Sequence, residues 1–333
     1  MMSARTHGGT DALGVPTHDF STNSNACGPC PPALLALQQA DAGHYPDARY
    51  VDLRARLAAF HAVSAERIVL AGSASEFIFR ITAWVARRAG AASVPTVHWP
   101  AHAYGDYAQA AHAWGLAQAE RPAAAHLVWA CEPSSPLGQA HVAWPVDLAG
   151  RLVVLDRAYE PLRLSGASSL TATQLDQVWQ LFTPNKALGL TGVRAAYVIA
   201  PYVDQERVQG QIDATVSALN QLAPSWPVGA HGVAMLTAWV SPQVQAWLAE
   251  AVSVLRVWKA RQIDLLQAMD WQVQPSDTNF FCAKPPQPLD GQALRADHGI
   301  KLRDATSFGL PGWVRLGVLG PPAQDALRCV LHG

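Results

Sequence analysis

Two stretches decide how this chain is read: Leu152-Val153-Val154-Leu155-Asp156-Arg157-Ala158-Tyr159, and Thr183-Pro184-Asn185-Lys186-Ala187-Leu188-Gly189-Leu190-Thr191-Gly192-Val193-Arg194. The first is an unbroken apolar run that ends in an acid, with a tyrosine three positions later. Short apolar runs without alternation are the pattern of strands buried on both faces. The second stretch follows another such run, Val178-Trp179-Gln180-Leu181-Phe182, and carries a lysine among small residues. Gly189 and Gly192, just after that lysine, permit close approach of a flat ligand, and Arg194 can meet an anion with fork geometry. Lysine is scarce here: of 24 basic residues only those at 186, 259, 284 and 301 are Lys. Lys259 reads as solvated surface on an amphipathic helix, Lys284 precedes Pro285-Pro286 in a loop, and Lys301 lies in an edge strand. Lys186 alone follows a buried strand.

Outward from these stretches, apolar runs alternate with Ala-rich helical segments from Pro46 to about Pro201. The predicted strands are 68–70, 91–94, 126–130, 152–155, 178–182 and 195–199. This predicts an α/β fold whose mainly parallel sheet is covered on both faces. Beyond Pro201, helices are predicted over roughly 203–221 and 227–239, then a long one from Ser241-Pro242 to about Met269. Short strands follow at 271–273, 279–283, 300–303 and 313–318. The pattern predicts an N-terminal arm at 1–27, a large domain at 28–240 and a smaller α+β domain at 241–333, with ligand chemistry between them.

Composition narrows the function. Half of the 333 residues are apolar and 15% are charged, with a formal charge of -1, so a disordered chain is excluded. A near-neutral chain lacks the basic face that nucleic acid or anionic membrane requires. No apolar run spans a bilayer, and the opening residues lack the apolar core of a secretory signal, so a cytoplasmic protein is expected. Five cysteines make no disulfide scaffold. Cys27-Gly28-Pro29-Cys30 has redox or zinc spacing, but no second ligand pair accompanies it, and Pro31-Pro32 mark a turn into a helix. No metal is expected. Trp84, Trp99, Trp114, Trp129 and Trp144 fall at equal spacing, yet their flanks share nothing and no repeat follows.

In α/β sheets ligands bind at the carboxyl ends of strands. An Asp, a Tyr and a lone Lys at such ends are what pyridoxal 5'-phosphate requires. The Lys forms the Schiff base, the buried carboxylate keeps the pyridine nitrogen protonated, and the phenol tunes the ring hydroxyl. A salt-bridged Asp beside a structural Lys is the alternative. Gly72-Ser73-Ala74-Ser75 lies between a strand and a helix, where free amides cradle a phosphate or simply cap the helix. Thr183 and Arg194 can add a hydroxyl and a charged fork to such a phosphate. Tyr104 can lie against a ring or fill core. Arg315 stands in an otherwise apolar strand and needs an anion, either a substrate carboxylate or a structural acid.

These residues resemble fold-type I class I/II aminotransferases, in the branch of histidinol-phosphate aminotransferase and threonine-phosphate decarboxylase, and the resemblance runs nearly end to end. It implies pyridoxal phosphate held by Ser73, Ala74, Ser75, Tyr104, Ser135, Asp156, Tyr159, Thr183, Lys186 and Arg194. Lys186, Asp156 and Tyr159 are then the catalytic set. His44-Tyr45-Pro46-Asp47 looks like the segment whose tyrosine reaches the cofactor phosphate of a neighbouring subunit, which implies a homodimer. His7-Gly8-Gly9, with Asp19-Phe20-Ser21-Thr22-Asn23-Ser24-Asn25 and Gly28-Pro29, looks like the opening of the decarboxylase of cobalamin side-chain synthesis, which makes aminopropanol phosphate. His7, Gly8, Gly28, Arg303 and Arg315 are then the substrate-binding residues, with His7 and Arg303 at the substrate phosphate.

Several positions depart from the family pattern. Cys131-Glu132-Pro133-Ser134-Ser135-Pro136-Leu137-Gly138 stands where Asn-Pro-x-Asn-Pro-x-Gly is usual, so Ser135 replaces an Asn that donates to the ring hydroxyl. Asn185 stands for a Ser, Ala26 for a Pro, and Arg157 for an acid. No motif encodes which bond at the α-carbon breaks, so the N-terminal opening carries the choice. The reading is threonine-phosphate decarboxylation, with a histidinol-phosphate-type aminotransferase second and a non-catalytic binding protein of the same fold third.

Overall fold

The computed structural model describes residues 7–88 and 94–332. Seven strands form the main sheet: β2 (Ile68–Ala71), β3 (Thr96–His98), β4 (Ala117–Gln118), β5 (Leu127–Cys131), β6 (Val153–Asp156), β7 (Trp179–Phe182) and β8 (Ala196–Ile199). β1 (His18–Asp19) precedes them in the N-terminal segment. The order across the sheet is β2-β8-β7-β6-β5-β3-β4. Neighbours from β4 through β7 pair in parallel, while β8 runs antiparallel to both β7 and β2. Each predicted strand in this half is present within about two residues, except that at 91–94. That one falls mostly on residues 89–93, outside the described residues, and the strand lies instead at Thr96–His98.

β2 and β5 to β8 are buried along their whole length. Successive residues point to opposite faces, and both faces are covered. Val69, Trp129, Val154, Leu181 and Val198 pack into one apolar cluster. Leu70, Phe182, Tyr197 and Ile199 pack into another, with the helices Val51–His61 and Ala230–Trp239. Two-sided burial is why these strands show no alternation in sequence.

The remaining strands are β9 (Gln272–Val273), β10 (Phe280–Lys284), β11 (Ile300–Lys301), β12 (Arg303–Asp304) and β13 (Val314–Gly317). The predicted strand at 300–303 is split at Leu302 between two sheets. β12-β13-β10-β9 form an antiparallel sheet. β11 instead pairs in parallel with β1, placing His18 opposite Ile300 and Asp19 opposite Lys301. Lys284, expected in a loop, is the exposed last residue of β10.

The long helix Pro242–Gln267 starts at Ser241, whose side chain caps it by accepting from the Val244 amide. Its buried stripe is Val244, Leu248, Ala251, Leu255, Lys259, Gln262 and Leu266. Lys259 is therefore not solvated surface. It is 8% exposed, and its ammonium donates to the carbonyls of Ser276 and, at 2.8 Å, Thr278. Burial pulls its pKa down to about 8. Among the described residues no helix is long and apolar enough to cross a membrane.

Candidate active site

The sheet's directions gather the site. β2, β5, β6 and β7 run the same way, so their carboxyl ends share one edge, which carries Ser73, Cys131, Asp156 and Thr183 just at or past the strand ends. β8 is reversed, so its beginning lies at that same edge and brings Arg194 and Ala195 there. A cavity of about 120 Å³ sits on this edge, lined by Ser73, Ala74, Ser75, Tyr104, Cys131, Ser135, Asp156, Ala158, Tyr159, Thr183, Asn185, Lys186, Arg194 and Ala195. All ten residues expected at the cofactor from the same chain are brought together. A larger surface depression, about 1310 Å³ beside Tyr50, Arg54 and Trp226, contains none of them.

Asp156 closes β6 and is 4% exposed. One of its oxygens accepts from the Tyr107 hydroxyl at 2.8 Å and the other from the Ala158 amide at 2.9 Å. Burial pushes its pKa up, opposed by the Tyr107 hydrogen bond, the Ala158 amide and the charge of Lys186. A buried carboxylate in this position favours a cationic partner, such as a protonated ring nitrogen. Tyr107 is itself fixed by stacking on Trp129 at 4.6 Å between ring centroids. Its role at Asp156 was missed from sequence, although it sits three residues after Tyr104, on the same face of the helix Gly105–Ala113 that Tyr104 precedes.

Lys186 projects into the cavity with its ammonium 5.5 Å from the centroid of the Tyr159 ring. No carboxylate among the described residues lies within ion-pairing distance of it, so the salt-bridged alternative is not what is found. The lysine loop is held from behind. Asn185 donates to the Val193 carbonyl at 3.2 Å. The Asn25 amide reaches the Lys186 carbonyl at 2.9 Å, and the Asn25 side chain reaches the Ala187 carbonyl at the same distance. Gly189 has φ +66, and a Cβ there would meet the Gly28 carbonyl oxygen at 2.5 Å. Tyr159 accepts at 3.1 Å from the side-chain amide of Asn23, which leaves its own proton for a ligand.

The opposite end of the cavity suits a phosphate. Ser73 accepts from the Glu76 amide at 3.0 Å while Glu76 accepts from the Gly72 amide at 3.1 Å, a reciprocal cap that opens the helix Ala74–Arg88. First-turn amides have no partner within a helix and favour an anion. The Thr183 hydroxyl is buried without any hydrogen-bond partner, and Arg194 remains solvent-facing at the cavity wall. Ser75 and Tyr104 share a hydrogen bond of 3.2 Å between their hydroxyls. Orphan hydroxyl, helix terminus, arginine, buried carboxylate and unpaired lysine together form the donor set of pyridoxal 5'-phosphate.

Arg315 is 8% exposed and meets no carboxylate among the described residues. It donates to the Ser135 hydroxyl at 3.3 Å and the Ser21 carbonyl at 3.1 Å, and its Nε has no partner. The structural-acid alternative is thus not realised. Ser135 lines the cavity as expected, but the hydrogen bond it makes is to Arg315. Glu132, in the same departing motif, is buried and accepts from Arg163, the Ser169 hydroxyl and amide, and the His141 amide.

Five further expected site residues, like Arg315, lie outside the cavity wall. Tyr45 is 76% exposed and stacks on Trp226 at 4.3 Å. His7 is exposed. Gly8 packs on Ser21, where an added Cβ would stand 2.1 Å from the carbonyl oxygen. The Gly28 carbonyl lies against Gly189 of the lysine loop. Arg303 is buried beside Arg315, bonded to the Asp304 carbonyl and the Ser307 hydroxyl.

The sheet and this donor set define an α/β enzyme of pyridoxal-phosphate fold type I. The chain belongs to the aminotransferase class I and II family, whose profile matches residues 16–328. Histidinol-phosphate aminotransferase 1 of Thiobacillus denitrificans is 28% identical over 344 residues, covering 94% of this chain and 85% of its own. Among solved structures, histidinol-phosphate aminotransferase from Sinorhizobium meliloti, in complex with pyridoxal-5'-phosphate, superposes with TM-score 0.75 at 23% identity, covering 93% of this chain and 88% of its own. L-threonine-O-3-phosphate decarboxylase from Porphyromonas gingivalis superposes with TM-score 0.74 at 18% identity, covering 94% and 98%.

Proposed function

We propose that this chain is a pyridoxal-phosphate-dependent decarboxylase of L-threonine O-3-phosphate, releasing carbon dioxide and aminopropanol phosphate. The observation that carries the reading is the placement of the His7-Gly8-Gly9 opening. The Gly9 amide donates to the Ser21 hydroxyl at 2.8 Å, and Lys301 donates to the Gly9 carbonyl at 2.6 Å. The Ser21 carbonyl in turn accepts from Arg315. The opening is therefore tied to the arginine that bonds Ser135 of the cavity wall, beside which a second substrate anion has to be held.

When bound, the cofactor supplies an electron sink for the pair released at the α-carbon. The chain's own residues do the rest. Asp156, kept in place by Tyr107 and Ala158, holds a proton on the ring nitrogen. Tyr159, with its oxygen occupied by Asn23, donates to the ring hydroxyl. Arg315 orients the substrate carboxylate, and its burial among Ser135, Ser21 and Phe280 excludes water from the bond that breaks. The Lys186 ammonium returns a proton to the carbon that lost carbon dioxide. The exposed Tyr45 supports a homodimer in which it serves the partner's site.

Histidinol-phosphate-type transamination is the second reading, favoured by the relatives of that name. The test is incubation of the holoenzyme with L-threonine phosphate alone. Carbon dioxide released without a keto-acid acceptor is expected. Turnover that requires an acceptor replaces the decarboxylase with the aminotransferase, and no turnover with either leaves a binding protein.

A further inference from the structure

At the edge of the main sheet opposite the cofactor cavity lies another, of about 470 Å³. It sits where β5, β6 and β7 begin and β8 ends, and the helices Ala74–Arg88 and Glu206–Leu222 complete its walls. A volume of roughly 300–1,000 Å³ suits a small ligand. The two cavities share no residue. Leu152 in this wall leads through β6 to Asp156, so about 13 Å of strand separates the two along that path.

The wall is cationic. Arg88, His126 and Arg151 line it, and no carboxylate does. Among the described residues, neither guanidinium has a hydrogen-bond or ion-pair partner. Arg88 lies over the Trp84 ring, 4.9 Å from its centroid, which leaves its in-plane N–H donors free. Asp147, the acid closest to Arg151 in sequence, accepts instead from the Gly150 amide at 2.9 Å. The His126 ring is fixed through its Nδ1, 2.8 Å from the Thr96 hydroxyl, and its Nε2 is unbonded. Like charges around one cavity with no acid among them favour an anion. The rest of the wall is apolar and aromatic, with Trp84 on the helix and the 2% exposed Trp179 at the start of β7.

We propose that this cavity is a binding site for a flat aromatic ring carrying a phosphate, the chemistry of a nucleoside monophosphate. Two guanidinium forks and an imidazole offer donors to the several oxygens of a phosphate, which arginine meets in bidentate fashion. The indoles of Trp84 and Trp179 offer apolar surface to a planar ring. Because the site lies outside the cofactor cavity, its ligand binds with pyridoxal phosphate in place.

The test is calorimetric titration of the holoenzyme with AMP, adenosine and ribose 5-phosphate, which carry ring and phosphate, ring alone and phosphate alone. AMP is expected to bind, and the other two to bind more weakly by about tenfold or more. Arg151→Gln and Arg88→Gln are each expected to weaken AMP by about tenfold while cofactor absorption stays as in the wild type. Each variant serves if the other does not fold. Absence of AMP binding by the wild type overturns the proposal, as does unchanged AMP affinity in the folded variants. Adenosine bound as tightly as AMP overturns the phosphate site, and ribose 5-phosphate bound as tightly overturns the ring site.

Discussion

The two ends of the site are built by different means. The cofactor end takes nearly all its groups from one sheet edge: Asp156 and Cys131 end strands, Ser73 and Thr183 follow them, and Arg194 precedes a reversed one. Each stands at or next to the end of a strand buried on both sides, so its position is set by the packing of the whole sheet. The end proposed for the substrate draws on the N-terminal segment at Gly8–Ser21, the loop at Ser135 and the strand at Arg315. Its geometry depends on side-chain contacts between segments far apart in sequence. Reaction chemistry can therefore be held constant at one end while substrate choice is altered at the other.

Substitutions at the two ends separate these contributions. The largest effect is expected from Asp156→Asn, which replaces the charge facing the ring nitrogen. Turnover at saturating cofactor should fall by about 10²–10³-fold, the scale for losing one preorganised electrostatic partner. Arg315→Gln comes next. It should lower kcat/KM by about 10²-fold, roughly 2.7 kcal/mol, mainly through KM, while cofactor absorption stays as in the wild type. Loss of cofactor binding in that variant would show that the two ends are not separable.

The smallest effect is expected at Lys259, which belongs to neither end and clamps Ser276 and Thr278 between them. Lys259→Met leaves two carbonyls without their donor and should destabilise the fold by about 1–3 kcal/mol in denaturant titrations at neutral pH. The folded pKa, about 8, lies below the ordinary 10.5. Between those values the unfolded chain binds more protons, so wild-type stability rises with pH across that window. The difference from the Met variant should widen from pH 8 to 10.5. A constant difference would mean that the ammonium is not titrating in the folded state.

The same contrast governs what the sequence made legible. Unalternating apolar runs located the main strands, because two-sided burial leaves its mark in consecutive residues. Asp156, Tyr159 and Lys186 could be found because each follows or ends such a run. Tyr107 was passed over because its role depends on a neighbouring strand, although its spacing from Tyr104 was visible. Lys259 was misread by residue type, although it continues the stripe of Leu248, Ala251, Leu255, Gln262 and Leu266. The split at Leu302 and the hydrogen bond between the His102 ring and the Phe308 carbonyl arise from pairings across more than 200 residues, which no local pattern carries.

Every reaction step proposed above requires the cofactor to attach at Lys186. With only four lysines in the chain, borohydride reduction of the holoenzyme followed by peptide mass mapping tests it directly. A pyridoxyl adduct on Lys186, absent in Lys186→Ala, is the predicted result. An adduct on Lys259, Lys284 or Lys301 instead, or none on a protein saturated with pyridoxal phosphate, would contradict it.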